Sequence, residues 1–234
     1  MQRSAFSIYR FLVRWAFARF YREFAWTYDT VAALVSGGHW PAWAQTALPY
    51  LEGRVLELGC GTGNLQRALA RRAPRPAPIG LDASPQMLAL ARRKVERAGL
   101  EARLVRADAR ALPFPSATFD SLVATFPSDY IVARATLAEA RRVLRPSGRL
   151  VIVLGARLAG GGLYQRLVDL AYRLTLQHPP RAAEAPSVLA GEGMDGSPAG
   201  RLGRELAQAR FAVQDRWIAA PGGLVYLIVA RASV

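Results

Sequence analysis

Three glycines at alternating positions, Gly59, Gly61 and Gly63, follow directly on an apolar run that carries one acid, Val55-Leu56-Glu57-Leu58. A helix-like run from Leu65 to Ala70 comes next. Glycine accepts positive φ and puts no Cβ between the main chain and a ligand. A strand, a glycine turn and a helix in that order hold a nucleotide-type ligand at the carboxyl end of a parallel strand. The spacing narrows the ligand. A pyrophosphate loop reads G-x-G-x-x-G, but here the third glycine comes one residue early. Glu57 stands two residues before the first glycine, where a carboxylate repels phosphate and suits a ligand with an ammonium group. Glu57 could also be no more than an exposed strand-end acid. Cys60, the single cysteine, excludes an internal disulfide and reads as a small packing residue, with a nucleophile as the alternative.

The elements that must position this loop alternate between strand and helix from Arg54 to Gly155, a rhythm that implies βαβ units and a parallel sheet. Strands are expected at Arg54–Leu58, Ala77–Asp82, Ala102–Ala107, Asp120–Thr125 and Arg149–Leu154. Residues 4–35 read as helical and aromatic-rich, Gly37-Gly38 breaks the pattern, and a short helix is expected from Trp40 to Ala47. Beyond Gly160 a helix to about Gln177 is expected. A Pro-, Gly-, Ala- and Ser-dense segment over 178–200 reads as a loop or lid, and a helix is expected at Arg201–Arg210. Strands at Phe211–Ile218 and Leu224–Arg231, joined through Pro221-Gly222-Gly223, make a hairpin. No internal repeat or second domain shows. Residues 1–50 read as a helical cover on a core of 51–234.

Several segments carry a family resemblance. VLELGCGTGN (55–64) is similar to the cofactor loop of class I S-adenosylmethionine (AdoMet) dependent methyltransferases. AdoMet carries a sulfonium, an ammonium and a carboxylate, and no phosphate. Ile79 to Ser84 resembles the family's second strand, with Asp82 as the ribose-binding acid and Ala83 beside it. Ser84 to Arg92 resembles the next helix, where Met87 would pack on the adenine. Arg106 to Phe114 resembles the segment whose acid, here Asp108 with Ala109 following, reaches the adenine amino group. Phe119–Thr125 and Leu144–Val153 resemble strands four and five, and Tyr28-Asp29 resembles a pair that relatives place near the cofactor tail. The resemblance spans about residues 50–155 in order and points to the small-molecule branch that includes ubiquinone and menaquinone C-methyltransferases. It implies an α/β, Rossmann-like, seven-stranded and mostly parallel sheet with a C-terminal antiparallel hairpin, in three α/β/α layers, and a methyl transfer to a small, apolar acceptor. Plainer readings stay open: Asp82 as a helix cap, Asp108 as a turn residue, Met87 as helix core.

Net charge is +14 over 234 residues, which invites a polyanion partner. The excess is spread at +2 or +3 over five successive stretches with no basic block, so nucleic acid is not the expected partner. Nearly every cation is arginine, and Lys94 is the lone lysine. Arg10, Arg14 and Arg19 interrupt the apolar N-terminus, so no signal peptide is expected. The uncharged stretch Thr30–Leu51 contains Gly37, Gly38, Pro41 and Pro49, which argue against a membrane span. The expectation is a cytoplasmic protein. The Arg- and aromatic-rich N-terminal helix either closes the active site or also touches a membrane surface.

The acceptor side is harder to read. Methyl transfer from a sulfonium needs positioning and water exclusion, and a base only when the nucleophile must lose a proton. Candidates for that base are His39, His178 and Tyr130; each histidine could equally be a loop polar group. Thr125-Phe126-Pro127-Ser128-Asp129-Tyr130 superficially resembles the Asn/Asp-Pro-Pro-Tyr/Phe loop of nitrogen methylases but lacks the acceptor amide or acid, since Phe126 stands there. Phe126 and Tyr130 either wall the site near the methyl group or simply pack. No His, Cys or Asp spacing suits a metal. Competing functions are an RNA-binding or RNA-modifying methyltransferase, a non-catalytic AdoMet-binding module, and aminopropyl transfer with Asp129 as base.

Overall fold

The computed structural model describes residues 28–72, 77–159 and 198–232. The expected N-terminal helix before Tyr28, the helix expected from Gly160 to Gln177, and His178 lie outside the described residues.

Helix α1 (Tyr28–Ser36) stops where Gly37 and Gly38 take positive φ, 58° and 82°. Helix α2 (Trp40–Gln45) starts beneath a cap in which Trp40 N–H donates to Ser36 Oγ at 3.0 Å. It ends two residues before the expected Ala47, because Pro49 has no N–H to give the Gln45 carbonyl, and a 3-10 turn over Leu48–Tyr50 replaces the last turn. There follow β1 (Val55–Leu58), α3 (Asn64–Arg72), β2 (Ile79–Asp82), α4 (Pro85–Glu96), β3 (Arg103–Arg106), β4 (Phe119–Thr125), α5 (Arg134–Val143), β5 (Leu144–Leu158), α6 (Pro198–Gln208), β6 (Phe211–Ala220) and β7 (Gly223–Ala232). α6 begins inside the expected loop, and Pro198 at its first position suits a helix start, where no N–H bond is required.

The strands lie in the order β3-β2-β1-β4-β5-β7-β6. The first five run parallel, and β7 is antiparallel to both β5 and β6. This is the expected mostly parallel sheet with a terminal hairpin. Chain order reverses between β1 and β4, so a crevice opens at their carboxyl ends. β5 is longer than expected at both ends. Arg145–Gly148 bulge out while β4 advances only from Phe119 to Ser121, with Ser147 at φ 63° in the bend. Past Val153 the strand continues against β7 as far as Leu158 opposite Gly223.

Successive strand residues point to opposite faces, and both faces are apolar. Leu56, Leu58, Leu122, Ile152 and Tyr226 pack with Leu137, Ala140 and Val143 of α5 and Leu202 and Leu206 of α6. Val123, Val151, Val153 and Leu227 pack with Trp43 of α2 and Leu65 and Leu69 of α3. Two helical layers therefore sandwich the sheet. Each fully buried leucine stabilises the fold by about 1.5–3 kcal/mol.

Candidate cofactor and acceptor site

The loop after β1 is built by three glycines with three different neighbours. Gly59, Gly61 and Gly63 all take positive φ, at 68°, 52° and 81°. A Cβ on Gly59 would stand 2.6 Å from Tyr130 Oη, and one on Gly63 would stand 2.9 Å from Ala91 Cα and Cβ. At Gly61 a Cβ would meet nothing within 4 Å among the described residues. Packing against the rest of the protein thus accounts for the absence of a side chain at the outer two glycines. At the middle one the main chain borders open space.

Around that opening the loop is fixed from several sides. Cys60 N–H donates to Leu81 O at 2.9 Å, Gly63 N–H to Cys60 O at 3.0 Å, and Tyr130 Oη–H to Leu58 O at 2.8 Å. Asp82, at the end of β2, accepts Gly61 N–H at 2.9 Å on one oxygen and Ser84 N–H at 2.8 Å on the other. Burial pushes the Asp82 carboxyl above the usual aspartate range, against the pull of the Ser84, Gly61 and Ala83 N–H groups. Ser84 caps α4 by accepting Met87 N–H at 3.3 Å, so the cap role weighed for Asp82 falls to its neighbour. Met87 is buried with Ala91 and Val95 on one side of α4.

Glu57 is 1 % exposed, and its Oε2 accepts Gln66 Nε2–H from α3 at 2.8 Å. Its carboxyl is therefore turned into the layer beneath the loop, and it is no exposed strand-end acid. Burial, reinforced by the charge of Asp82 and opposed by the Gln66 hydrogen bond, pushes its pKa up to about 8. Cys60 is buried, and burial together with Glu57 and Asp82 pushes its thiol well up. A thiolate is disfavoured there, which leaves the packing role.

After β3, Asp108 accepts the Arg110 guanidinium at 2.5 Å, and that pairing holds it below the usual carboxylate range. Ala109 beside it is buried. Directly after β4, Phe126 takes φ 48°, a conformation that costs a non-glycine residue of order 1–3 kcal/mol and concentrates at working sites. Its N–H bonds Val153 O at 2.7 Å, and its ring lies 4.0 Å from that of Trp40. Trp43 Nε1–H reaches Pro221 O at 2.9 Å, and the His39 ring fills the space where a Gly222 side chain would stand. His39, Trp40, Phe126 and the β6–β7 turn thus share the carboxyl edge of the sheet with the glycine loop.

Sequence reasoning missed one cluster. Asp29 of α1 accepts Thr62 Oγ1–H at 2.6 Å, Asn64 Nδ2–H at 3.1 Å and Lys94 Nζ–H at 2.5 Å. Burial alone would raise the Asp29 carboxyl, but these partners hold it below its ordinary value. Tyr28 and Asp29 stood out only as a pair, and the one signal for the rest was the solitary lysine. A cleft of 760 Å³ between α5, α6 and the start of β5, lined by Arg134, Arg141 and Glu205, lies at the opposite edge of the sheet from the loop. Among the described residues no helix is long and apolar enough to cross a membrane.

Residues 55–148 match the methyltransferase domain family model. The demethylmenaquinone methyltransferase of Thermus thermophilus is 43% identical over 141 residues, 57% of this chain and 63% of that protein. A phosphatidylethanolamine N-methyltransferase of Cereibacter sphaeroides is 45% identical over 104 residues, 43% of this chain and 50% of that one. The chain thus spans under two thirds of the length of these curated relatives. Among solved structures, a Thermotoga maritima AdoMet-dependent methyltransferase, a possible histamine N-methyltransferase, superposes with a TM-score of 0.60 at 19% identity, covering 92% of this chain and 99% of the other. At that identity the likeness establishes the fold. With the loop and its two acids in place on that fold, residues 55–148 match a methyltransferase domain, and the chain resembles class I AdoMet-dependent methyltransferases, the quinone C-methyltransferases among them.

Proposed function

We propose that this protein transfers a methyl group from AdoMet to a small, apolar, ring-bearing acceptor of the quinone class. The observation that carries the reading is the open main chain at Gly61, flanked by the carboxylate of Asp82. The Gly61 N–H is held by Asp82, and on the side where a Cβ would stand no described atom covers the main chain, which leaves room for the tail of such a cofactor. When bound, AdoMet supplies an electrophilic methyl with a good leaving group.

The protein's own residues supply placement. Asp82 accepts from ribose hydroxyls with the lone pairs left by Gly61 and Ser84. Met87, Asp108 and Ala109 border the adenine. Glu57 acts from beneath the loop by its charge, since a cation arriving above favours its ionised form. Phe126 and the Gly59–Gly63 turn complete the cofactor contact; the Tyr28 side chain lies outside the described residues. On the acceptor side, Trp40 and Phe126 present flat apolar faces suited to an aromatic ring. Among the described candidates His39 is the base if the acceptor must lose a proton, and Tyr130 holds the loop. Residues 1–50 serve as the cover. Val31 and Leu34 on α1, exposed at 45% and 66%, support contact with the membrane surface on which such acceptors dissolve.

The test is methyl incorporation from labelled AdoMet into a reduced, ring-demethylated naphthoquinone and, separately, into phosphatidylethanolamine vesicles. Ring methylation is the expected result. Headgroup methylation would replace the quinone reading with a lipid-amine one, and AdoMet binding without turnover would reduce the protein to a cofactor-binding module.

A further inference from the structure

The only lysine of this chain occupies a site that an arginine cannot serve in the same way. Lys94 Nζ donates to Asp29 Oδ2 at 2.5 Å, Asn64 Oδ1 at 2.8 Å and Thr62 Oγ1 at 3.0 Å. The acceptors come from α1, from the start of α3 and from the glycine loop. An ammonium has three donors radiating from one atom, and all three are used here. None is left for a ligand. A guanidinium spreads five donors over a planar fork on a shorter, three-methylene stem and does not converge on three oxygens around a point. The chain places arginine at 30 of its 31 basic positions, so the exception calls for a local cause.

The cause is next to the opening at Gly61. Thr62 and Asn64 bracket Gly63, and Ala91, one turn before Lys94 on α4, abuts Gly63. α4 therefore touches the loop twice, through Ala91 and through Lys94. From just before α4, Asp82 holds the Gly61 N–H. The loop is gripped between these points, and Asp29 fastens α1 to the same knot. We propose that Lys94 is a positioning residue that sets the geometry of the AdoMet loop, and that the role demands an ammonium rather than any cation. The inference rests on the AdoMet-binding reading above.

The experiment is calorimetric titration of the full chain with AdoMet and with S-adenosylhomocysteine, for the wild type, Lys94→Arg, Lys94→Met, Asp29→Asn and the exposed neighbour control Arg93→Lys. Thermal midpoints without ligand and the KM values for AdoMet and acceptor accompany it. Lys94→Arg and Lys94→Met should each weaken AdoMet binding by about tenfold or more, the scale of a lost charged hydrogen bond. Asp29→Asn should follow them, and Arg93→Lys should match the wild type. The KM for AdoMet should rise while that for the acceptor stays put. A Lys94→Arg protein that binds as the wild type does overturns the proposal, and so does a set of variants that lose their fold, which would make Lys94 a fold-holding residue. A wild-type chain that does not bind AdoMet overturns the functional reading itself, and so the two failures are distinguishable.

Discussion

Replacing Glu57 with glutamine should stabilise this protein, and by an amount that depends on pH. The folded chain raises the Glu57 pKa from 4.5 to about 8. Near neutrality the buried group is therefore mostly a neutral acid, which glutamine imitates, and Gln66 Nε2–H keeps an acceptor in either case. The folded state changes little. The difference lies in the unfolded chain, where glutamate ionises above 4.5 and glutamine does not. Below 4.5 the wild type carries no penalty from this group; as pH rises to about 8 it loses stability steadily, and above that the loss is constant. At pH 7 the gap of two and a half units, at roughly 1.4 kcal/mol each, makes Glu57→Gln more stable by about 3 kcal/mol. For a chain of this size that raises the melting midpoint by about 6–12 °C. Melting curves at pH 4, 6 and 8, without ligand, read the effect directly. The gain should be near zero at pH 4 and largest at pH 8. A gain that ignores pH, or a loss at pH 8, would refute the reasoning, because it would mean that the carboxylate is already ionised in the fold. AdoMet affinity should move the other way, since the variant cannot offer a negative charge beneath a cationic ligand.

Three further outcomes follow from the same loop. Asp82→Ala should weaken AdoMet binding at least about tenfold by calorimetry. It should also lower stability by about 1–3 kcal/mol, because the N–H groups of Gly61 and Ser84 lose their acceptor; unchanged affinity would remove Asp82 from the site. Gly61→Ala should cost only about 1–2 kcal/mol of stability, from positive φ alone, yet abolish most AdoMet binding, because its Cβ enters open space that the ligand needs. Gly63→Ala should destabilise the apo protein by more than Gly61→Ala does, since the new Cβ lies 2.9 Å from the backbone of α4; equal melting midpoints for the two would contradict the packing described.

The cofactor half of the molecule was legible because its signals are local. Glu57, the glycines and Asp82 stand at fixed offsets, and backbone chemistry dictates what such spacings can build. The alternation of apolar runs gave the first four parallel strands within a residue or two. What escaped was set by partners far along the chain. Nothing near Lys94 says that Asp29 will lie against it, and nothing near Trp43 says that its indole will reach Pro221. The early end of α2 was readable in principle from Pro49. The length of β5 was not, because its extension past Leu154 exists only by pairing with β7. Glu57 shows the remaining gap: its type and place were readable, but its burial against Gln66 depends on the packing of α3.

The position of β7 has a bearing on how the chain emerges from synthesis. β6 touches the sheet only through β7, which is made after it, and the turn between them carries Pro221 and Gly222, against which Trp43 and His39 rest. The stretch from Val55 to Tyr130 contains the partners described above for the glycine loop, except Asp29 of α1, which precedes it. The acceptor wall is not complete there, since one of its supports is separated from Trp43 by 178 residues of chain. A growing polypeptide therefore completes the glycine loop well before the wall of Trp40 and Phe126 gains its last support. Chains ending before Gly223 should retain protection of the loop amides against hydrogen exchange while those around Trp40 and Trp43 exchange freely.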